Sequence, residues 1–353
     1  MNKRENLISL YKRKGYEKVP VEFNLCPELI EQYKNNTKSD LNYRDYFDFS
    51  YEYVSDGILK NQSTDIFLKY YDSLKEGTHI DQYGVAHEPG SEAAKHMTYM
   101  RNPLKNCDSL EMMKEYPFPD FLNADFSHQV SEVEKIHKDG KAALGNMQMT
   151  IWETSWYIRG MEELMMDMMT DDPMAEYILD KVTELSTKRA ESYAKAGCDL
   201  LFLGDDIGMQ HSIMMSEDLY CDWLKPRLKK LISHVKKINP EIIVLYHSCG
   251  YIEPFIPHLI DAGIDVLNPI QTECMDFKKI HDMYGDVLSF NGTIGTQTTM
   301  PFGTPDDVRR AVFENLEIAG DKGGLLCCPT HLLEPEVPWE NILAYVKACN
   351  DFK

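Results

Sequence analysis

His247-Ser248-Cys249 closes an apolar, β-branched run, Ile242-Ile243-Val244-Leu245-Tyr246, and Gly250 follows at once. In a strand, residues two apart point the same way, so a strand continued through 249 projects the imidazole and the thiol to one side. Imidazole nitrogen and thiolate sulfur are the usual zinc ligands, at about 2.0 and 2.3 Å. Two ligands do not make a site. A second cluster, "LCCPTHLLEPEVPWE", offers Cys327, Cys328 and His331 after another apolar run. Three protein ligands with an open fourth position mark a catalytic zinc rather than a structural one. Taken alone, the pair also fits a small buried cysteine beside a satisfied histidine.

Adjacent acids, Asp205 and Asp206, end the run "CDLLFLGD". Alternation lets only one of them face the interior, and the other is expected to cap the following turn. A carboxylate at that end suits acid–base chemistry or the orienting of a metal-bound histidine. Trp152, Glu153, Trp156 and Tyr157 follow the run 142–149; helical spacing puts Trp152 with Trp156 on one face and Glu153 with Tyr157 on the next. Trp156 and Tyr157 are candidates to line a substrate pocket, with Asn268 and Asn291 at other strand ends; the aromatics fit an ordinary core equally well. "MEELMMDMM" reads as a buried helix face, and 290–305 as a long Gly/Thr active-site loop.

These residues need elements to position them. Strands are expected at 18–25, 142–149, 198–205, 242–247, 264–268, 287–292 and 324–329, most of them buried on both faces. Helices are expected at 171–196, 216–238, 253–262, 275–284, 304–319 and 338–350, several opening on Asp-Pro or Thr-Pro. Strand and helix alternate from about residue 140, with crossovers long enough for parallel pairing. No Gly-x-Gly-x-x-Gly follows a strand and no Gly-x4-Gly-Lys-Ser/Thr occurs, which weighs against a nucleotide-binding wound sheet. Polar residues gather at the C-terminal strand ends, as in a (β/α)8 TIM barrel. One barrel domain over 1–353 is the expectation, its first 140 residues supplying early strands and insertions that cover the mouth.

With 43% hydrophobic and 27% charged residues, the chain has the profile of a globular protein. A formal charge of −20 argues against nucleic acid as a partner. No apolar run has the length of a signal peptide or a membrane span, so no membrane is expected. Nine cysteines without a secretion signal suggest reduced thiols in the cytoplasm.

The segment "AGCDLLFLGDDIGMQHSIMMSEDLYCDWLKPRLKKLI" and the "THLLEP" motif resemble the uroporphyrinogen decarboxylase superfamily, from about residue 140 to the end and more loosely before. The resemblance implies a (β/α)8 barrel and one of two chemistries. True decarboxylases carry an early Arg-Gln-Ala-Gly stretch, where this chain has "YKRKGYEKVPVEF"; Asp206 falls where they keep a serine. The cobamide-dependent methyltransferases that bind zinc use His-x-Cys and a distant Cys. His247 and Cys249 match the first two, and His331 falls at the third, with Cys328 its rival. The resemblance thus implies zinc, a methyl group moved between a small methylated or thiol substrate and a cobamide, and Asp206 or Glu153 as proton donor. With no Asp-x-His-x-x-Gly motif here, the cobamide is expected on a partner corrinoid protein. The runners-up are a uroporphyrinogen-type decarboxylase and a non-catalytic binding member.

Overall fold

The computed structural model describes residues 1–60, 63–90 and 97–352. Ten strands are present among them: Tyr51–Val54 (β1), His79–Ile80 (β2), Ala86–Pro89 (β3), Thr98–Arg101 (β4), Ala142–Met147 (β5), Leu200–Gly204 (β6), Ile243–His247 (β7), Val266–Asn268 (β8), Ser289–Asn291 (β9) and Leu325–Leu326 (β10). Seven of them form one curled sheet in the order β1-β5-β6-β7-β8-β9-β10, parallel at every pairing, and β2-β3-β4 form a small antiparallel sheet. Helices return the chain between the parallel strands and cover the sheet, which explains strands as apolar as "LLFLG" and "IVLYH".

The helix boundaries follow local chemistry. Asp172 caps Pro173–Ala196 by accepting from Met174 N–H, and Gly197 ends it in the left-handed region. Thr304 and Asp307 form a capping box at the start of Pro305–Ala319. The helix expected over 216–238 is two, Glu217–Trp223 and Lys225–Ile238, because Pro226 disrupts the turn at Leu224.

Two expectations need correction. Residues 18–25 alternate as a strand does, and Val19, Val21, Phe23 and Leu25 are buried, yet no ladder forms there. Pro20 has no N–H to give. The N–H of Glu22 donates to the Tyr345 hydroxyl at 3.2 Å, and its carbonyl accepts from that hydroxyl at 3.1 Å. Its backbone forms one isolated parallel bridge among the described residues, Leu25 to Leu333. The main sheet therefore has seven laddered strands where a closed barrel has eight. Second, the early part contributes only β1 to that sheet; β2, β3 and β4 form a sheet of their own.

Side chains fasten the unladdered segment to the β1 edge. Arg44 bonds Glu22 Oε1 at 3.1 Å and the Tyr51 carbonyl at 2.9 Å, and its guanidinium lies 4.9 Å from each of the rings of Phe49, Tyr51 and Tyr53. All nine cysteines are free. No helix among the described residues is long and apolar enough to cross a membrane.

Candidate metal and substrate site

Strand register places the first functional residues side by side. His247 is the last residue of β7, and its register partners are Gly204 on β6 and Asn268 on β8. Asn268 Nδ2 donates to the carbonyl of Asn291 at 2.9 Å and to its Oδ1 at 3.0 Å. A backbone carbonyl only accepts, so the amide nitrogen of Asn268 must face that way and its oxygen must face His247. His247 Nδ1 lies 2.6 Å from that oxygen and is therefore the protonated nitrogen. In the neutral ring this leaves the Nε2 lone pair free.

Nε2 points at the other ligands. It lies 3.5 Å from Cys249 Sγ and 3.5 Å from Asp206 Oδ1, and the three ligand atoms all lie within 4.8 Å of one another. Among the described residues this is the group of three placed to hold a metal. Nitrogen, thiol sulfur and carboxylate oxygen form a donor set suited to zinc, and the Asn268 carbonyl behind the imidazole is the outer-shell acceptor such sites use. Burial, then Asp206 and Glu153, raise the Cys249 thiol far above its ordinary pKa.

The two ligand loops are stitched together. Asp205 N–H donates to the His247 carbonyl at 3.1 Å, Ile207 N–H to Ser248 Oγ at 3.0 Å, and Cys249 N–H to Asp206 Oδ1 at 2.7 Å. Tyr251 N–H reaches the Met209 carbonyl at 2.8 Å. Glycine is required where they meet: a Cβ on Gly204 would lie 2.7 Å from His247 Cβ, and one on Gly250, at φ +85°, would lie 2.7 Å from the Met209 carbonyl.

The adjacent acids part company, as alternation requires. Asp206 faces the cluster. Asp205 is buried and accepts from the N–H groups of Thr150, Ile151 and Glu153 at 2.9–3.1 Å, so it caps the helix Trp152–Arg159 instead of the turn that follows it in sequence. The role of Asp205 is thus to hold Glu153 in place. Glu153 accepts from Asp206 N–H at 3.2 Å and from the Tyr157 hydroxyl at 2.9 Å. Burial, with Asp205 and Asp206 nearby, pushes its pKa up to about 8.

Cys328 and His331, the two candidates for a third ligand after the last strand, lie outside the cluster of three. Cys328 is buried and donates to Asn291 Oδ1 at 3.2 Å; burial holds its thiol well above the ordinary range. His331 sits on the wall shared by two cavities, near enough that His247 helps lower its pKa, after the larger effect of the surrounding protein. Neither belongs to the cluster of three, whose third corner is Asp206. A cavity of about 450 Å³ joins Asp206, His247, Glu153, Tyr157, Asn268 and Asn291 with Glu22, Tyr51 and Tyr53 from the early part of the chain. Its lining carries three carboxyl groups, Glu22, Glu153 and Asp206, and no lysine or arginine. Trp156 is not among the lining residues; it packs edge-on against Tyr157 with centroids 4.2 Å apart. A further cavity of about 590 Å³ opens from Asp206, Cys249 and His331 toward Gln210, Gln297 and the exposed Phe302.

The profile of the uroporphyrinogen decarboxylase (URO-D) family matches residues 92–352. The chain belongs to that family. A methyltransferase from Methanosarcina mazei of known structure is similar in fold, with a TM-score of 0.70 and 18% identity over 100% of this chain and 99% of that one. Xylanase 10B from Thermotoga maritima, at 10% identity and a TM-score of 0.41 over 66% of this chain and 82% of its own, is too distant to argue from. Among curated proteins none matches this family member in sequence.

Proposed function

We propose that this family member is the zinc-dependent methyltransferase component of a corrinoid system, working in the cytoplasm. It moves a methyl group between a small methylated or thiol substrate and a cobamide carried by a separate corrinoid protein. One observation carries the reading: Asp206, His247 and Cys249 converge at the C-terminal strand ends, with the Nε2 lone pair of His247 aimed between the other two. The likeness in fold to a methyltransferase supports it. The same reading treats the curled sheet as a (β/α)8 barrel with residues 18–25 in the eighth place and the early residues as cover for its mouth.

Zinc, when bound, supplies a Lewis acid that lowers the pKa of a thiol or stabilises a leaving oxygen or nitrogen. The remaining tasks fall to the chain. Asn268 orients His247, and Asp205 anchors the helix that carries Glu153 and Tyr157. Glu153, one hydrogen bond from Asp206, is the group placed to hand a proton to a leaving group. Decarboxylation of a polycarboxylate fits less well, because three carboxyl groups and no cationic side chain line the cavity.

Metal analysis combined with methyl transfer tests the proposal. About one zinc per chain, lost in Cys249→Ala, together with transfer between a corrinoid protein and one of a panel of methyl compounds, is expected. Metal-free protein that decarboxylates a porphyrinogen overturns the reading. Tight substrate binding with no transfer in either direction identifies a binding-only member.

A further inference from the structure

Away from the metal cluster, a second histidine lies between a thiol and a carboxylate. Glu217 and Cys221 stand one turn apart on the helix Glu217–Trp223, and His258 reaches them from the helix Ile256–Ala262. Cys221 Sγ lies 3.5 Å from His258 Nδ1, and Glu217 Oε2 lies 3.3 Å from His258 Nε2. None of the three lines the cavities that meet at Asp206.

The proton on this ring can be placed. Lys225 Nζ, 3.4 Å from Nδ1, can only donate, so Nδ1 is the acceptor and Nε2 carries its proton toward Glu217. The Nδ1 lone pair is thereby left to the Cys221 thiol. Thiol, imidazole and carboxylate in that order form the arrangement in which a base takes the proton of an attacking nucleophile. Burial raises the Cys221 thiol above its ordinary pKa; Lys225 opposes the rise, and Asp222, Glu217 and Asp218 add to it. Lys225 is itself held by Asp261 at 2.9 Å. The sulfur is therefore protonated at neutral pH, and its attack needs the base that His258 supplies.

The chain contains its own comparison. Cys274 is also free and half-buried, but burial and Glu273 both act against its thiolate. The other half-buried thiol, Cys249, belongs to the metal cluster.

We propose that Cys221 is a nucleophilic thiol, served by His258, that exchanges with small-molecule disulfides. The Cys221 S–H bond breaks as its sulfur attacks one sulfur of the disulfide, and the proton passes to His258 Nδ1. The disulfide's S–S bond breaks, a new one joins Cys221 to half of the molecule, and the other half departs as a thiolate that takes the proton from Nδ1. Cys221 is oxidised and the departing sulfur is reduced, so no further oxidant is needed. A base that receives a proton and returns it suits a reaction whose leaving group must be protonated. Cys221 exchanges in this way whether or not the chain transfers methyl groups.

Incubation of the full chain with 2-hydroxyethyl disulfide at neutral pH, with adducts mapped over time by peptide mass spectrometry, tests this. The first adduct is expected on Cys221, about tenfold or more faster than on Cys274. His258→Gln should slow it about tenfold or more while the Cys274 rate, read in the same digest, stays unchanged and reports an intact fold. Glu217→Gln, at an exposed position, should slow it severalfold. The Cys221 rate in the parent should begin to rise at lower pH than in His258→Gln, where the rise follows thiol ionisation alone. Equal rates at Cys221 and Cys274, a first adduct on any other cysteine, or a His258→Gln variant that reacts as the parent does overturns the proposal.

Discussion

The sheet is held differently at its middle and at its open side. From β5 to β9 backbone ladders fix the strands, so side chains at their ends are released for other tasks: His247, Asn268 and Asn291 form a relay because register has already aligned them. Between β10 and β1 the ladder stops, and side chains take over the fastening. Arg44 holds Glu22 and the Tyr51 carbonyl while packed against three aromatic rings. Where the backbone supplies the order, polar side chains can serve chemistry; where it does not, they are committed to structure.

Breaking one region should therefore leave the other's property intact. The largest effect is expected for Cys249→Ala, which should reduce bound zinc from about one per chain to background, read by metal analysis, while barely moving the unfolding midpoint of the metal-free protein. Arg44→Met should do the opposite. It leaves Glu22 buried without its cation and should cost about 3–5 kcal/mol in denaturant unfolding, with zinc per folded chain unchanged. If Arg44→Met unfolds like the parent, the fastening role is wrong.

Asn268→Leu keeps the volume but removes the acceptor behind His247. Zinc affinity in chelator competition should fall about 10–100-fold. The smallest effect is expected on the outer helices. Lys195 and His234 pull the Glu191 carboxyl down to about 2, below its unfolded value, so its contribution is present above the unfolded pKa and fades as pH falls toward 2. Glu191→Gln should flatten the acid limb of the stability curve by less than about 1 kcal/mol. An effect rivalling Arg44→Met would erase the contrast between exposed pairs and the buried knot.

The legible parts of the sequence were those whose signal is local. Parallel strands buried on both faces read as plain apolar runs, so β5 to β10 stood out. His247-x-Cys249 was legible because alternation alone aligns the two side chains. Alternation also required Asp205 and Asp206 to separate, but which one turned inward depended on the N-terminus of a helix some fifty residues earlier in the chain. That helix end bonds Asp205. The third corner of the cluster was hidden for the same reason: Asp206 arrives from β6 through strand order, and composition favoured the cysteine- and histidine-rich segment after β10. Residues 18–25 misled because alternation reports burial, not pairing, and Pro20 with the Tyr345 hydroxyl removes the pairing. The strands of the small sheet, two to four residues long, carry too little pattern to find.

The interlocked loops at Gly204 and Gly250 bear on how the site fills. Their backbones are tied to each other by main-chain and hydroxyl contacts that involve no cation. Little chain entropy remains to be lost when an ion arrives, so loading resembles a key entering a cut lock rather than a fold closing around its nucleus. On the zinc reading, the ion can then leave and return while the curled sheet stays folded, and scarcity of the metal silences the protein without condemning it to unfolding.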